Sequence, residues 1–552
     1  MSFYVKRINL FCIIICALIT IFAENYAIAE NNVITVYYNK EIGQVNKKVF
    51  GNNFVGYDTA PHNPGIPHYY GYADYGSGVW NPTRNESVKE VITLAKEAGL
   101  SVIRFPGGCG THHYDWKESI GKDRKHFFYG VDEFLKTVNE IGAEAVITIS
   151  YFTGTEQDAA DLVEYLNTPC DGKHPWADKR AENGYPDPYG VKYFEIGNEV
   201  WHGNHKDIKD VLPEEYTSRY LRYYEAMKAV DPLVQIGVVL QTPNWNKRVL
   251  EIIKAKLDFG IIHTYPNPNV WGKELKRMLP DEVFSITLAV PILTDEPGFQ
   301  ATLKLLKEYS ARDIPLAITE YNGFFLQDKP VPYRHSLGTA LINAELLRIF
   351  MKPEYKIIMA NYWQFSNGYW GMIKSENDFM LHKYEKPINY IKRPNYYVYE
   401  LYNKHFGDIL IDIEVKSGTY DIKDIEVYRP YMREFILKMG EGTTTEENLF
   451  LDTSIPYLSV NASKNKNGDK IYLMVINKNM NEAINSLVGL KDFLPFEKAN
   501  AWILNGPSVD ATNEEKADNV RISHREFEIE NVFFEFTFEP HSMTAIEIRR
   551  RE

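Results

Sequence analysis

Two short stretches of this sequence carry carboxylates where a strand gives way to a loop. Lys192-Tyr193-Phe194-Glu195-Ile196-Gly197-Asn198-Glu199 reads as a buried strand that stops abruptly in Gly-Asn-Glu. Pro315-Leu316-Ala317-Ile318-Thr319-Glu320-Tyr321-Asn322 is a second strand of the same kind, again closing on a glutamate. A pair of strand-end carboxylates suits acid/base and nucleophilic work at one bond. Cleavage of a glycosidic linkage needs one carboxyl to protonate the leaving oxygen and a second on the other side of the sugar. A single such glutamate is more often an ion-pair partner, so the pair matters only if the fold brings Glu199 and Glu320 together.

The elements between them specify how that would happen. Apolar runs at 49–56, 101–108, 143–150, 191–199, 235–240, 257–265, 315–322 and 356–365 alternate with helical patterns at 86–98, 130–141, 156–166, 213–230, 246–254, 300–310 and 335–351, with a last helix at 395–405. Gly99 and Asp231-Pro232 punctuate helix ends, and Gly142 precedes the third strand. Eight apolar strands alternating with helices predict a parallel sheet closed into a (β/α)8 TIM barrel over residues 49–405. In that fold the reactive side chains stand at strand C-termini. Glu199 then closes strand four and Glu320 lies near the end of strand seven. Arg104, with Pro106-Gly107-Gly108 after strand two, His263 and Tyr265 on strand six and Trp363 on strand eight fall on the same rim. Tyr69, Tyr70, Tyr72, Tyr75 and Trp80, after strand one, are either a substrate wall or loop packing.

Beyond about residue 406 the pattern changes to short alternating runs, with Asn467-Gly468 as a hairpin signal. Residues 406–552 therefore read as an antiparallel, jelly-roll-like β-sandwich, and residues 30–48 hold a strand that joins it. Residues 1–29 have a basic start at Lys6 and Arg7, an apolar run and Ala27-Ile28-Ala29, the pattern of a cleaved secretory signal. The expected location is therefore secreted, extracellular or periplasmic, without a membrane anchor after cleavage. A net charge of −13 argues against nucleic acid and anionic membranes as partners. A neutral glycan needs no charge complement, and 38 Tyr and 9 Trp supply rings that stack on sugars as readily as they fill cores. Of four cysteines, Cys109 and Cys170 lie outside the leader; they pair if their loops meet or stay as free thiols. No Cys/His set has zinc spacing, and adjacent His112 and His113 point apart on an extended loop.

Taken together, the motifs around Glu199 and Glu320 and the Ile103-Arg104-Phe105-Pro106-Gly107-Gly108 element resemble the clan A retaining glycoside hydrolases, most closely the α-L-arabinofuranosidase family, glycoside hydrolase family 51. The likeness extends to Asp115-Trp116, Val475-Ile476-Asn477-Lys478, Leu504-Asn505-Gly506-Pro507 and Pro540-His541-Ser542. It implies Glu199 as general acid/base, Glu320 as nucleophile, Asn198 as a donor to the sugar 2-hydroxyl, Arg104 as a cation beside the nucleophile, His263 as an orienting group and Tyr265 as a donor to Glu320. No cofactor or metal is implied, because two carboxylates suffice. The sequence departs from the family pattern in three places. No glutamate follows strand one in Phe50–Tyr57, Cys109 follows Pro-Gly-Gly where Asn is usual, and strand eight ends in the aromatic Asn361-Tyr362-Trp363-Gln364-Phe365. The implied substrate is an α-L-arabinofuranoside of a plant-type polysaccharide or oligosaccharide. The alternatives are a β-glycan-active clan A enzyme (endoglucanase, xyloglucanase or β-xylosidase) and a non-catalytic glycan-binding protein.

Overall fold

The computed structural model describes residues 32–54, 78–124, 128–203, 210–268, 272–366, 368–375, 390–422 and 454–551. The leader, the four tyrosines of the loop after strand one and an acidic, Thr-rich loop expected at 441–448 lie outside these residues.

Eight parallel strands close into a barrel: Gly51–Asn53, Val102–Phe105, Glu144–Ile149, Tyr193–Ile196, Gln235–Val239, Phe259–Thr264, Leu316–Tyr321 and Ile357–Tyr362. Each pairs with the next in sequence, and the eighth closes on the first through Asn361↔Gly51 and Tyr362↔Asn52. Several strands are shorter than the sequence suggests. The fourth stops at Ile196 because Gly197 (φ 82°) and Glu199 (φ 40°) turn the backbone out of the extended region. The second stops at Phe105, before a proline that lacks the N–H a ladder needs. Helices cover the outside; Lys89–Ala98 and Val131–Ile141 end in left-handed Gly99 and Gly142, which satisfy orphan carbonyls. The helix expected at 300–310 is one end of a longer run. Pro280–Val290 continues through a wide π turn at Pro291–Asp295 into Glu296–Ser310. The turn takes in Pro291, and Pro297 lies in the first turn of the segment that follows.

Side chains alternate along a strand, so the barrel interior is layered. Val102, Val146, Tyr193, Phe259, Ile261, Ala317 and Met359 form an apolar plug. Two residues further along the strands stand Asn53, Arg104, Thr148, Glu195, His263, Thr319 and Asn361. A polar layer thus sits on an apolar floor, at the C-terminal mouth.

The second sheet has nine strands in the order Arg521–Glu528, Pro495–Asn505, Ser542–Arg550, Lys470–Asn477, Leu458–Lys464, Ile409–Lys416, Val33–Gln44, Ile484–Lys491 and Phe533–Phe538. It folds over, so that its end strands meet through Phe527 and Phe536 (rings 5.0 Å apart) and Arg525 donates to the Thr537 carbonyl. One core runs between the layers through Ile34, Val36, Leu473, Val475, Phe536 and Ile548. The sandwich is mostly antiparallel. The exception is Val33–Tyr37, which lies antiparallel to Ile409–Lys416, the strand leaving the barrel, and therefore parallel to Leu487–Lys491.

The two parts share a core and an ionic cluster under the helix Leu337–Phe350. Glu345 accepts from Arg348 at 2.6 and 3.0 Å, and Lys478 of the sandwich donates to Ser459 at 2.8 Å. Burial opposes the Glu345 charge, but the Arg348 and Lys478 cations outweigh it and hold its carboxyl down at about 2. Burial pushes the Lys478 ammonium down to about 8 against the pull of Glu345. A depressed carboxyl stabilises the fold above its unfolded value and loses that contribution as pH falls through the folded one. The wild-type chain should therefore lose stability between about pH 4.5 and 2 more steeply than Glu345→Gln, which should be weaker by about 3 kcal/mol at pH 7. Urea unfolding across that window checks this; parallel curves would show that the cluster is not a stabilising contact.

Candidate active site

The polar layer and the residues just above it bring Arg104, Asn198, Glu199, His263, Tyr265, Glu320 and Trp363 to one mouth. Arg104 is fully buried. Its Nε binds Glu195, its Nη1 donates to Glu320 at 2.7 Å and to Asn53 at 3.2 Å, and its Nη2 donates to Asn198 at 2.8 Å. Burial alone would weaken that cation, but the Glu195 and Glu320 charges raise its pKa further. Tyr265 donates its hydroxyl to the other Glu320 oxygen at 2.6 Å. Burial, then the Glu320 charge, keeps this phenol protonated far above its ordinary range, so it remains a donor. Glu320 thus accepts from a guanidinium on one oxygen and a phenol on the other.

Its position depends on a local irregularity. On strand seven Ile318 faces Ile262, but the next aligned pair is Glu320 and His263, so Thr319 is an extra residue. A bulge of this kind re-aims a side chain. Here it lets Thr319 and Glu320 both reach inward contacts, with Thr319 Oγ1 3.0 Å from His263 Nε2.

Glu199 arrives by a different route. Gly197 turns left-handed where an added Cβ would lie 2.6 Å from a Val200 methyl, and Glu199 itself is held at φ 40°, ψ 43°. A non-glycine residue in that region stores strain, as functional sites commonly do. Its Oε1 lies 2.8 Å from His263 Nδ1. Burial opposes a charged His263, but the Glu320 charge and the Glu199 contact raise its pKa. Side-chain exposure separates the two glutamates: 21% for Glu199 and 6% for Glu320. Glu199 faces the open mouth where a leaving group or water would be, and Glu320 is sheltered beneath. A carboxylate oxygen of each lies within 4.8 Å of the other. That limit on the nearest oxygens is compatible with the short separation, about 5–5.5 Å between carboxyls, of retaining enzymes.

Trp363 is half-buried at the end of strand eight, its backbone N–H bound to the Tyr321 carbonyl and its own carbonyl to Asn322. The ring lies directly over Gly108. Phe324, edge-on to Tyr265 and stacked with Trp370, extends the aromatic lining. Trp80 is buried and adds nothing to the mouth. Cys109 and Cys170 form no disulfide with each other; Cys109 sits 3.8 Å from the Asn198 amide, whereas exposed Cys170 contacts Asp178. Glu199, His263 and Glu320 are the set among the described residues that could hold a metal ion. Both His263 nitrogens are already engaged, by Glu199 and Thr319, so an ion would have to break those contacts.

Sequence reasoning missed Glu195, Asn53, Thr148 and Asn322. Glu195 left a signal: a carboxylate in mid-strand among Phe194 and Ile196 demands a buried cation, and Arg104 is the strand-borne candidate. Asn53 left none, because its amide binds the carbonyls of Thr319 and Tyr362, far away in sequence.

A closed barrel with two glutamates at this spacing is the framework of a retaining glycoside hydrolase. Comparisons with known proteins agree. Residues 95–281 match the alpha-L-arabinofuranosidase 1 domain and residues 319–542 the alpha-L-arabinofuranosidase C-terminal domain. The chain is 23% identical to a probable alpha-L-arabinofuranosidase C of Aspergillus clavatus, over 94% of this chain and 97% of the relative. It is 26% identical to an exo-alpha-(1->6)-L-arabinofuranosidase of Bifidobacterium longum, over 58% of this chain and 62% of that one. Its fold matches a crystal structure of alpha-L-arabinofuranosidase from Thermotoga maritima in complex with arabinose, with TM-score 0.73 and 23% identity, over 94% of this chain and all of that one. The chain is a clan A glycoside hydrolase of the family 51 type.

The contact beneath Trp363 can be tested directly. Gly108 has φ 61° and ψ −169°, and an added Cβ would stand 2.4 Å from the Trp363 ring. Gly108→Ala should displace the ring and lower kcat/KM by about 100-fold while the far-UV spectrum is unchanged. Undiminished turnover would remove Trp363 from the site.

Proposed function

We propose that this chain hydrolyses α-L-arabinofuranosides of plant-type polysaccharides or oligosaccharides by double displacement. The observation that carries the mechanism is the short Glu199–Glu320 spacing, with Glu320 held by Arg104 and Tyr265. In the first step Glu320 attacks the anomeric carbon while Glu199 gives its proton to the departing glycosidic oxygen. A glycosyl ester on Glu320 results. Glu199, now a carboxylate, removes a proton from water, the hydroxyl attacks the anomeric carbon, and the Glu320 carboxylate leaves. Two inversions return the starting configuration. In this reading Asn198, held by Arg104, bonds the sugar 2-hydroxyl and Trp363 serves as a stacking floor. The sugar assignment is supported by the arabinofuranosidase names of the relatives and by both matched domains.

A panel of aryl glycosides tests it: α-L-arabinofuranoside, β-xyloside, β-glucoside and β-galactoside. Release from the arabinofuranoside, with retention seen by NMR of the first-formed product, is the expected outcome. Release from a β-pyranoside alone would keep the two glutamates and move the substrate. Glu320→Ala should lower turnover by roughly 10⁴-fold, with azide or formate restoring part of it; undiminished activity would end the assignment of Glu320.

The basic, apolar and small-residue order of the leader supports export as part of the same reading. N-terminal sequencing of exported protein should start at Glu30; a start at Met1 would refute cleavage.

A further inference from the structure

One guanidinium at the barrel mouth is shared by two carboxylates, and the reaction uses only one of them. Glu195 is fully buried and cannot touch a sugar. Its Oε1 takes the Arg104 Nε and the Thr148 hydroxyl, the latter at 2.6 Å. Its Oε2 is buried without a hydrogen-bond partner. A buried carboxylate with an unsatisfied oxygen is costly, and an apolar residue would pack this strand position at less expense. Its geometry accounts for the cost. Because the guanidinium is rigid and planar, a charge bound to Nε fixes the direction in which Nη1 meets Glu320. It also takes up part of the cation that would otherwise act on Glu320 alone.

We propose that Glu195 is a positioning residue for glycoside cleavage: it orients Arg104 and divides its charge, so that Glu320 is held in place but remains a strong nucleophile. The proposal rests on Glu320 being the nucleophile. The charged and titratable groups facing this cluster include Arg104 from strand two, Cys109 after it, Glu195 and Glu199 from strand four and the turn after it, Tyr216 from the helix Pro213–Val230, His263 and Tyr265 from strand six, and Glu320 from strand seven. Of the three carboxylates, Glu195 is the fully buried one, and it neither gives nor receives a proton in the reaction.

The test is Glu195→Gln in the full chain, which keeps the shape and removes the charge. With Arg104 acting on Glu320 alone, the acid limb of kcat/KM should move down by about one pH unit. The same variant should lose roughly tenfold in kcat/KM at its optimum as the nucleophile weakens. Breakdown of the glycosyl ester, followed in single-turnover experiments, should not slow, because the leaving carboxylate is better stabilised. Thr148→Ala removes a contact to Glu195 but no charge and should leave the acid limb in place. An unmoved limb in Glu195→Gln, or an equal shift in Thr148→Ala, would overturn the proposal. If the Gln variant does not fold, Glu195→Asp keeps the charge but lengthens the Arg104 contact; the limb should move the same way by less, and an unmoved limb there is equally decisive. Labelling of the wild-type chain with an activated 2-deoxy-2-fluoro glycoside separates the two failures. Label absent from Glu320 would unseat the nucleophile, whereas label on Glu320 with an unmoved limb would unseat Glu195.

Discussion

The Arg104 guanidinium has no access to water, and the rest of the barrel mouth is arranged around that fact. A cation of this kind is tolerated only when its hydrogen bonds are made and its charge is matched. Strand one supplies Asn53, strand four Glu195, the turn after it Asn198, and strand seven Glu320. These partners come from separate parts of the chain, so the barrel must be closed before Arg104 is satisfied. The same contacts set Glu320 at the point where a nucleophile is needed. Stability and chemistry therefore use one set of bonds, and in a site of low dielectric each of them acts more strongly than it would in water.

The height of this cluster follows from strand periodicity. An apolar plug fills the lower barrel, and the next inward positions are polar. Regular alternation cannot, however, put both Thr319 and Glu320 inside, and strand four ends at Ile196, short of Glu199. A bulge solves the first problem and a left-handed Gly197–Glu199 turn the second. Both are departures from ideal geometry, and both occur at the residues that face the substrate space.

The sandwich contributes to this arrangement from outside. Its 506–520 segment binds the start of the helix Leu337–Phe350 through the carbonyls of Val509 and Ala511. Glu514 pairs with buried Arg393, which in turn holds the carbonyls of Gly368 and Gly371 in the loop after strand eight. That loop also carries Trp370, and it begins just beyond Trp363. The rim of the site is thus tied to the second domain by charge-assisted bonds, and the Glu345–Arg348–Lys478 cluster fastens the same helix lower down.

Much of this was legible without coordinates. Strand and helix periods reveal the eight-fold alternation, and Glu199 and Glu320 stand out because a carboxylate at the end of an apolar strand is seldom there for packing. The residue types at Arg104, His263, Tyr265 and Trp363 mark the rim once the barrel is assumed. Other features were not legible. The π turn at Pro291–Asp295 has no local signature, because a proline signals a lost N–H and says nothing of a wider turn that tolerates it. The parallel pairing of the N-terminal strand depends on where Ile409–Lys416 leaves the barrel. Local sequence determined which segments are strands and which side chains can do chemistry, because period and residue type are local properties. Only the tertiary structure decided that Thr319 is an extra residue, that Glu195 and Glu320 share one guanidinium, and that Asn53 closes the set, because these are contacts between strands tens to hundreds of residues apart.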